Sequence, residues 1–196
     1  MSRNDKGKSI MNAALAVFCR KGYAHTRMAD IAREAGVSYG LVYHYFGSKK
    51  TLFDVIVDTW WSDLYSVLEE QKKSRLDFTK RLEYIIQFFL DTYSNNPDLI
   101  SIFISEVSRS SVYHTSRGLD KFRRFFSLCE GIMNEGQDLR ILRDDIGSHY
   151  LTYIFLGAIE TFISILVLGK ERVDDERKKR IIDGIIQVFF NGAKAK

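Results

Sequence analysis

The sequence predicts an all-α protein in two parts, and three observations carry that expectation. One proline in 196 residues leaves almost nothing to interrupt helices, against an average usage of about 5%. Apolar residues recur at helical spacing from Ile10 to Phe190, without the alternation of strands. Hydrophobic residues make up 45% and charged residues 28% of the chain, enough for a real core and wrong for a disordered protein.

Taken in order, the elements are nine predicted helices without internal repeats. Ile10, Ala13, Ala14, Val17 and Phe18 form the first apolar stripe, which Gly22 ends. Thr26 can cap a second helix with Met28, Ile31, Ala32 and Ala35 inside, and Gly36 stops it after about two turns. Ser38 caps a third helix with Leu41, Val42 and Tyr45 facing inward, and Gly47-Ser48 leads into a long fourth from Lys49 toward Gln71. The fifth spans 78–93. Asn96-Pro97, a cap followed by proline at the first helical position, opens a sixth toward Val107. A loop or break is expected at 108–118, then helices over 119–134, 146–168 and 174–190, with a frayed tail at 194–196.

Charge is divided unevenly. Residues 1–50 hold nine Lys/Arg and three acids, so they carry +6 of a chain whose total is +4, and the remainder is −2. A basic first quarter on a slightly acidic remainder points to a polyanion-binding module, with solvated helix faces as the bland alternative. Cys19 and Cys129 form no CxxC pair and no disulfide framework, which reads as reduced and cytoplasmic. The polar start is no signal peptide. Leu151–Leu168 is the one stretch that invites a membrane reading, but it holds Glu160, and a central acid costs about 2.5–3.5 kcal/mol. A buried helix is the better expectation, with no membrane partner.

Enzyme signatures are missing. There is no GxGxxG or GxxxxGK[ST] run, no HxxxH and no Glu-x-x-His. The four histidines (25, 44, 114 and 149) are scattered, so no metal, cofactor or catalytic residue is expected.

The informative segment is 26–53. Two short helices joined by Ala35-Gly36-Val37-Ser38 have the proportions of a helix-turn-helix. Ala32 is small where helix axes cross, and Gly36 permits the positive φ of a tight helix end. The second helix of such a motif lies in the DNA major groove with its N-terminal residues toward base edges. A helical hairpin with a glycine turn is the structural alternative.

Here the resemblance becomes specific. Ile10-x-x-Ala13-Ala14, Phe18, Gly22-Tyr23, Thr26, Asp30-Ile31-Ala32 and Ala35-Gly36-Val37-Ser38 resemble the DNA-binding domain of the TetR (tetracycline-repressor) family. Gly40, Tyr43-His44-Tyr45-Phe46, Ser48-Lys49 and Leu52-Phe53 continue the match. It covers residues 10–53, and the rest fits the family in length and helix count only. Lys50 stands where the family often has Glu, and Tyr39 is bulky at a position often Lys or small.

The resemblance implies a DNA-binding domain at 1–47 and a larger ligand-binding and dimerisation domain at 48–196. With physics it also implies roles. Thr26 and Arg27 hold a phosphate at a helix start. Ser38, Tyr39 and Gly40 open the recognition helix, where Gly40 lets backbone approach bases. In similar proteins the residue matching Tyr43 contacts a phosphate, and that matching His44 a phosphate or base. Lys49 completes the phosphate clamp. Tyr43 packed beneath the motif, or His44 as a plain surface residue, are the alternatives.

Two features concern the larger domain. Ile181-Ile182, Ile185-Ile186 and Phe189-Phe190 recur every four residues, and 151–168 is apolar nearly all round. Such helices can be covered by a twofold-related copy, placing Leu156, Ile163, Ile182, Ile186 and Phe189 in a homodimer interface. Ordinary packing within one chain is the alternative. Aromatic residues are abundant in the helices of 78–168. Tyr84, Phe88, Phe89, Tyr93 and Phe103, with Phe122, Phe126, Met133 and Tyr153, are the expected lining of an effector pocket, and Glu160 its orienting charge. A solid core is the competing reading.

The expected function is a ligand-responsive regulator, a repressor by preference, that binds palindromic double-stranded DNA as a homodimer. A small apolar effector would release it. The end of the chain is faintly similar to the acyl-CoA-responsive branch of the family, which puts fatty acids or acyl-CoA first, and hydrophobic drugs or bile-salt-like amphiphiles second. A helical-bundle enzyme or carrier, and a DNA-binding protein without ligand, are the competing functions.

Overall fold

A computed structural model describes residues 3–104 and 116–193. Among the described residues there are nine α-helices and no strand. They are α1 (Arg3–Lys21), α2 (Met28–Glu34), α3 (Tyr39–Phe46), α4 (Lys49–Lys73) and α5 (Phe78–Asn95), then α6 (Pro97–Ile102), α7 (Ser116–Asp138), α8 (Ser148–Gly169) and α9 (Asp175–Ala193). All nine expected helices are present, with ends displaced by a few residues. The expected run of α6 to Val107, the stretch 105–115, His114 and the tail 194–196 lie outside the described residues.

The chain packs as two compact units, residues 1–62 with 98–110, and residues 63–97 with 111–196. α4 belongs to both. The first unit continues past residue 47 because Leu52, Phe53 and Ile56 of α4 are buried and complete its core with Ile10, Ala14, Val17, Phe18, Ile31 and Val42. Phe53 sits 5.7 Å edge-on to Phe18 and 4.8 Å from Tyr23, ring centre to ring centre. α2 ends in a paired closure: Val37 N–H donates to Ala32 O at 3.0 Å and Gly36 N–H to Arg33 O at 3.2 Å. That geometry puts Gly36 at φ +64°, a conformation that a side chain disfavours.

In the second unit Leu82, Ile85, Ile86 and Leu90 of α5, Cys129, Ile132 and Met133 of α7, and Leu151, Phe155 and Ile159 of α8 share the interior. α9 closes over them with Ile181, Ile182, Ile185, Ile186 and Phe189, all buried. Polar staples fix the helices. Arg81, 2% exposed, gives a two-pronged hydrogen bond to Glu135 at 2.8 and 2.7 Å, tying α5 to α7. Lys178 reaches Asp91 at 2.7 Å, tying α9 to α5. The Tyr93 hydroxyl lies 2.8 Å from Leu166 O and 2.7 Å from Glu171 O, where α8 ends.

α8 is long and apolar enough to cross a membrane, with a mean hydropathy of 2.1. Its inner face is core, and the residues left outside carry Glu160 among rings and aliphatic side chains.

Candidate nucleic-acid interface

α3 is held by its inner side and offers its outer side to solvent. Val42 is fully buried, and the Ser38 hydroxyl oxygen caps the helix by accepting from Leu41 N–H at 3.3 Å. On the outer side stand Tyr39, Gly40, Tyr43 and His44, all exposed. The Tyr39 and Tyr43 rings are each 54% exposed. They stack on one another, 6.1 Å between centres and 30° between planes. His44 meets the half-buried Tyr45 edge-on at 6.0 Å. At Gly40 a side chain would meet no atom of the protein within 4 Å.

The start of α2 differs from expectation. Thr26 does not cap it. That side chain is 2% exposed and its hydroxyl donates to Gly22 O at 2.8 Å, so it closes the end of α1 and is not available to a phosphate. Arg27 is the cap residue: its N–H donates to Asp30 Oδ2 at 3.0 Å, and its exposed side chain pairs with no carboxylate among the described residues. Asp30 also takes Lys21 at 2.9 Å and Arg33 at 3.3 Å, while Arg20 takes Glu34 at 2.6 Å. Hydrogen bonds from Lys21 and Arg20 hold the Asp30 and Glu34 carboxyls below their ordinary range.

Lys49 is engaged within the protein. Its ammonium donates to three carbonyls, Tyr23 O at 2.7 Å, Thr26 O at 2.8 Å and Ala24 O at 3.2 Å, and lies 4.5 Å over the Tyr23 ring. An ammonium has three protons, and in the chain without DNA all three are engaged. Lys49 staples the α1–α2 turn to the first turn of α4. Sequence spacing placed the residue correctly and could not reveal which oxygens it would meet.

In the second unit the expected interface residues lie inside. Leu156, Ile163, Ile182, Ile186 and Phe189 are between 4% and 9% exposed, buried by packing within one chain. The same two helices expose a different row: Tyr150, Tyr153, Ile154, Ile165 and Leu168 of α8, 53% to 83% exposed, and Val188 of α9. Gly157 lies on that side of α8, again with nothing within 4 Å of where a side chain would begin. The spacing 150, 153, 154, 157, 161, 165, 168 would have found this row. The paired isoleucines of α9 lie on the opposite, inner side.

The expected effector residues are not one cluster. Phe103 belongs to the first unit, 3.9 Å from Trp60 and 5.2 Å from Trp61 between ring centres. In the second unit Met133 and Tyr93 are buried, and Tyr93 is occupied at the end of α8. Phe88, Phe89 and Phe122 are half-buried. Phe126 meets Tyr153 edge-on at 5.6 Å, and both are exposed, as are Tyr84 and Glu160. Glu160 therefore faces solvent with the outer row of α8, not an interior pocket. Among the described residues no group of three or more His, Cys, Asp or Glu side chains could hold a metal.

Two short helices in a tight glycine turn, with the second presenting rings and a bare backbone, define a helix-turn-helix DNA-binding protein. Residues 10–56 match the family model described as bacterial regulatory proteins, tetR family. The chain thus carries a DNA-binding domain of the TetR family of transcriptional regulators. It is 19% identical to the fatty acid metabolism regulator protein of Bacillus subtilis (strain 168) over 88% of this chain and 89% of that one. It shares its fold with the fatty acid degradation regulator FadR from Bacillus halodurans, with TM-score 0.82, 16% identity and full coverage of both chains. It shares it also with FadR from Bacillus subtilis in complex with stearoyl-CoA, with TM-score 0.75, 17% identity, and 94% and 98% of the chains covered.

Proposed function

We propose that this protein is a cytoplasmic, ligand-responsive repressor that binds a palindromic operator as a homodimer and is released by a small, largely apolar effector. By task, residues 1–47 read DNA, and residues 48–196 dimerise and take the effector. The observation that carries the reading is Gly40. Glycine weakens a helix relative to alanine by up to ~1 kcal/mol, and nothing inside the protein needs the space a side chain would fill. A body outside does, and major-groove bases beside the first turn of a recognition helix fit that need. Tyr39, Tyr43, His44 and Ser38 flank the gap, with Arg27 as the phosphate-binding cation.

Two reading heads spaced by about 34–36 Å or a multiple require a dimer. The exposed row of α8 with Val188 is the surface that a second copy would cover, since large apolar patches on a lone chain mark interaction sites. For the effector, a long-chain fatty acid or acyl-CoA is the first choice, supported by the relatives' names. Phe88, Phe89, Phe122 and Met133 are the apolar residues retained for it. Its binding would act through α4, the helix common to both units. Selection of bound fragments from random DNA should return an inverted repeat, and long-chain acyl-CoAs or fatty acids should release it. No selected sequence, or wild-type monomers by light scattering at micromolar concentration, would overturn the reading.

A further inference from the structure

We propose that Tyr43 holds Tyr39 in a stacked two-ring blade on α3, and that this blade reads the C5-methyl group of a thymine in the operator. The inference rests on the DNA-binding reading above and adds to it a positioning residue and the base feature recognised.

Residues four apart on a helix face one another one turn on, and here the two rings meet 6.1 Å apart and 30° from parallel. That is the range of offset aromatic stacking, an attraction beyond the burial of the rings. Both rings are 54% exposed, so the stack is not imposed by a surrounding core. A lone tyrosine at the start of α3 would sample several rotamers and lose that freedom on binding. Leaning on Tyr43, Tyr39 has already lost much of it.

The chemistry of the target follows from what the blade presents. Two stacked rings offer a continuous apolar edge beside the bare backbone of Gly40. In the major groove every base pair shows hydrogen-bonding groups, and the one apolar feature is the thymine methyl. Tyr39 opens the helix, where side chains meet base edges. Tyr43 lies a turn further, where its hydroxyl can reach a phosphate while its ring backs Tyr39.

The test replaces each thymine of the selected operator in turn by deoxyuridine, which removes only the methyl. Wild-type protein should lose about fourfold in affinity at one position of each half-site, the equivalent of one buried carbon at ~0.8 kcal/mol. Tyr39→Ala and Tyr43→Leu should bind the two DNAs equally. Tyr43→Phe should keep the fourfold discrimination, because the ring remains, while affinity for both DNAs falls alike and the salt dependence is unchanged, since the lost hydroxyl is neutral. Thermal unfolding checks that these surface variants stay folded. A selected operator indifferent to every deoxyuridine overturns this inference and leaves the repressor reading standing. Tyr43→Leu with full discrimination overturns the positioning role. Failure of wild type to select any DNA overturns both readings.

Discussion

α3 and α8 both leave large rings in water, in opposite surroundings. α3 exposes Tyr39 and Tyr43 within the quarter of the chain that carries +6. α8 exposes Tyr150, Tyr153, Ile154, Ile165 and Leu168 in a part whose net charge is −2. Each row contains a glycine with empty space before it, Gly40 in one and Gly157 in the other. An exposed ring does not by itself identify a partner. The charge around it does: rings among surplus cations suit a polyanion, and rings mixed with aliphatic side chains in a part without surplus cations suit another protein surface.

A second contrast separates the two units. Each holds helices together with a cation, but the answering groups differ. Lys49 meets three backbone carbonyls, and Arg81 meets the Glu135 carboxylate. Carbonyls do not titrate and carboxylates do, so acid should loosen the Arg81 staple and leave the Lys49 staple in place.

The largest expected effect separates the two sides of α8 and α9. Ile186→Asp buries an unpaired carboxylate and should cost about 4–5 kcal/mol, seen as lost helicity or a collapsed Tm. Ile154→Asp, on the exposed row, should leave a folded chain that sediments as a monomer and binds operator orders of magnitude less tightly. A folded, dimeric Ile154→Asp would break the comparison.

Next comes the buried guanidinium. Glu135→Gln should cost about 2–3 kcal/mol, below the 3–5 of a fully buried pair, because the Glu135 side chain is 37% exposed. The hydrogen bond from Arg81 lowers the carboxyl below its ordinary 4.5. A lowered native pKa gives stability that is present above about pH 4.5 and lost as pH falls through the native value. Denaturant midpoints of wild type should therefore drop below pH 4.5, and Glu135→Gln should flatten that limb. An equally steep limb in the variant would remove Glu135 from the account.

How much of this was legible beforehand depends on where each property is encoded. The helices and the glycine turn were readable because Gly36 and the stripes of α1 and α5 are local patterns. The partners of Lys49 were not, since Tyr23, Ala24 and Thr26 come within its reach only when α4 folds back on the α1–α2 turn. Thr26 misled for a similar reason: a threonine before a helix reads as its cap, while this one bonds backward to Gly22. On α8 the difficulty was degeneracy. A helix apolar nearly all round carries no pattern that tells core side from covered side, and Leu156 and Ile163 looked as available as Ile154 and Ile165.

The Lys49 staple gives the third effect. Lys49→Met should cost ~2 kcal/mol, in line with lost hydrogen bonds to a charged group, and show as a lower Tm. Its operator binding should keep the wild-type salt slope. Arg27→Ala should do the reverse, holding Tm and reducing the slope by about one per half-site. A reduced slope in Lys49→Met would return that ammonium to the phosphate backbone.

The smallest effect brings the two rows together. Gly40→Ala and Gly157→Ala each add a methyl that meets no atom of the chain, on a helix that prefers alanine by up to ~1 kcal/mol. Both variants should thus unfold at a higher temperature than wild type when measured on the free chain. Each should also lose function, and each a different one. At Gly40 the methyl stands between backbone and bases, so operator affinity should fall several-fold while the dimer dissociation constant is unchanged. At Gly157 it stands between two copies, so the dimer should loosen while operator sequence preference is kept. Opposite signs for stability and binding, divided between DNA and dimer in this way, are what an outward-facing glycine predicts and an idle one does not. A Gly40→Ala protein that gains stability and binds operator as wild type does would leave the recognition helix without its close approach to DNA.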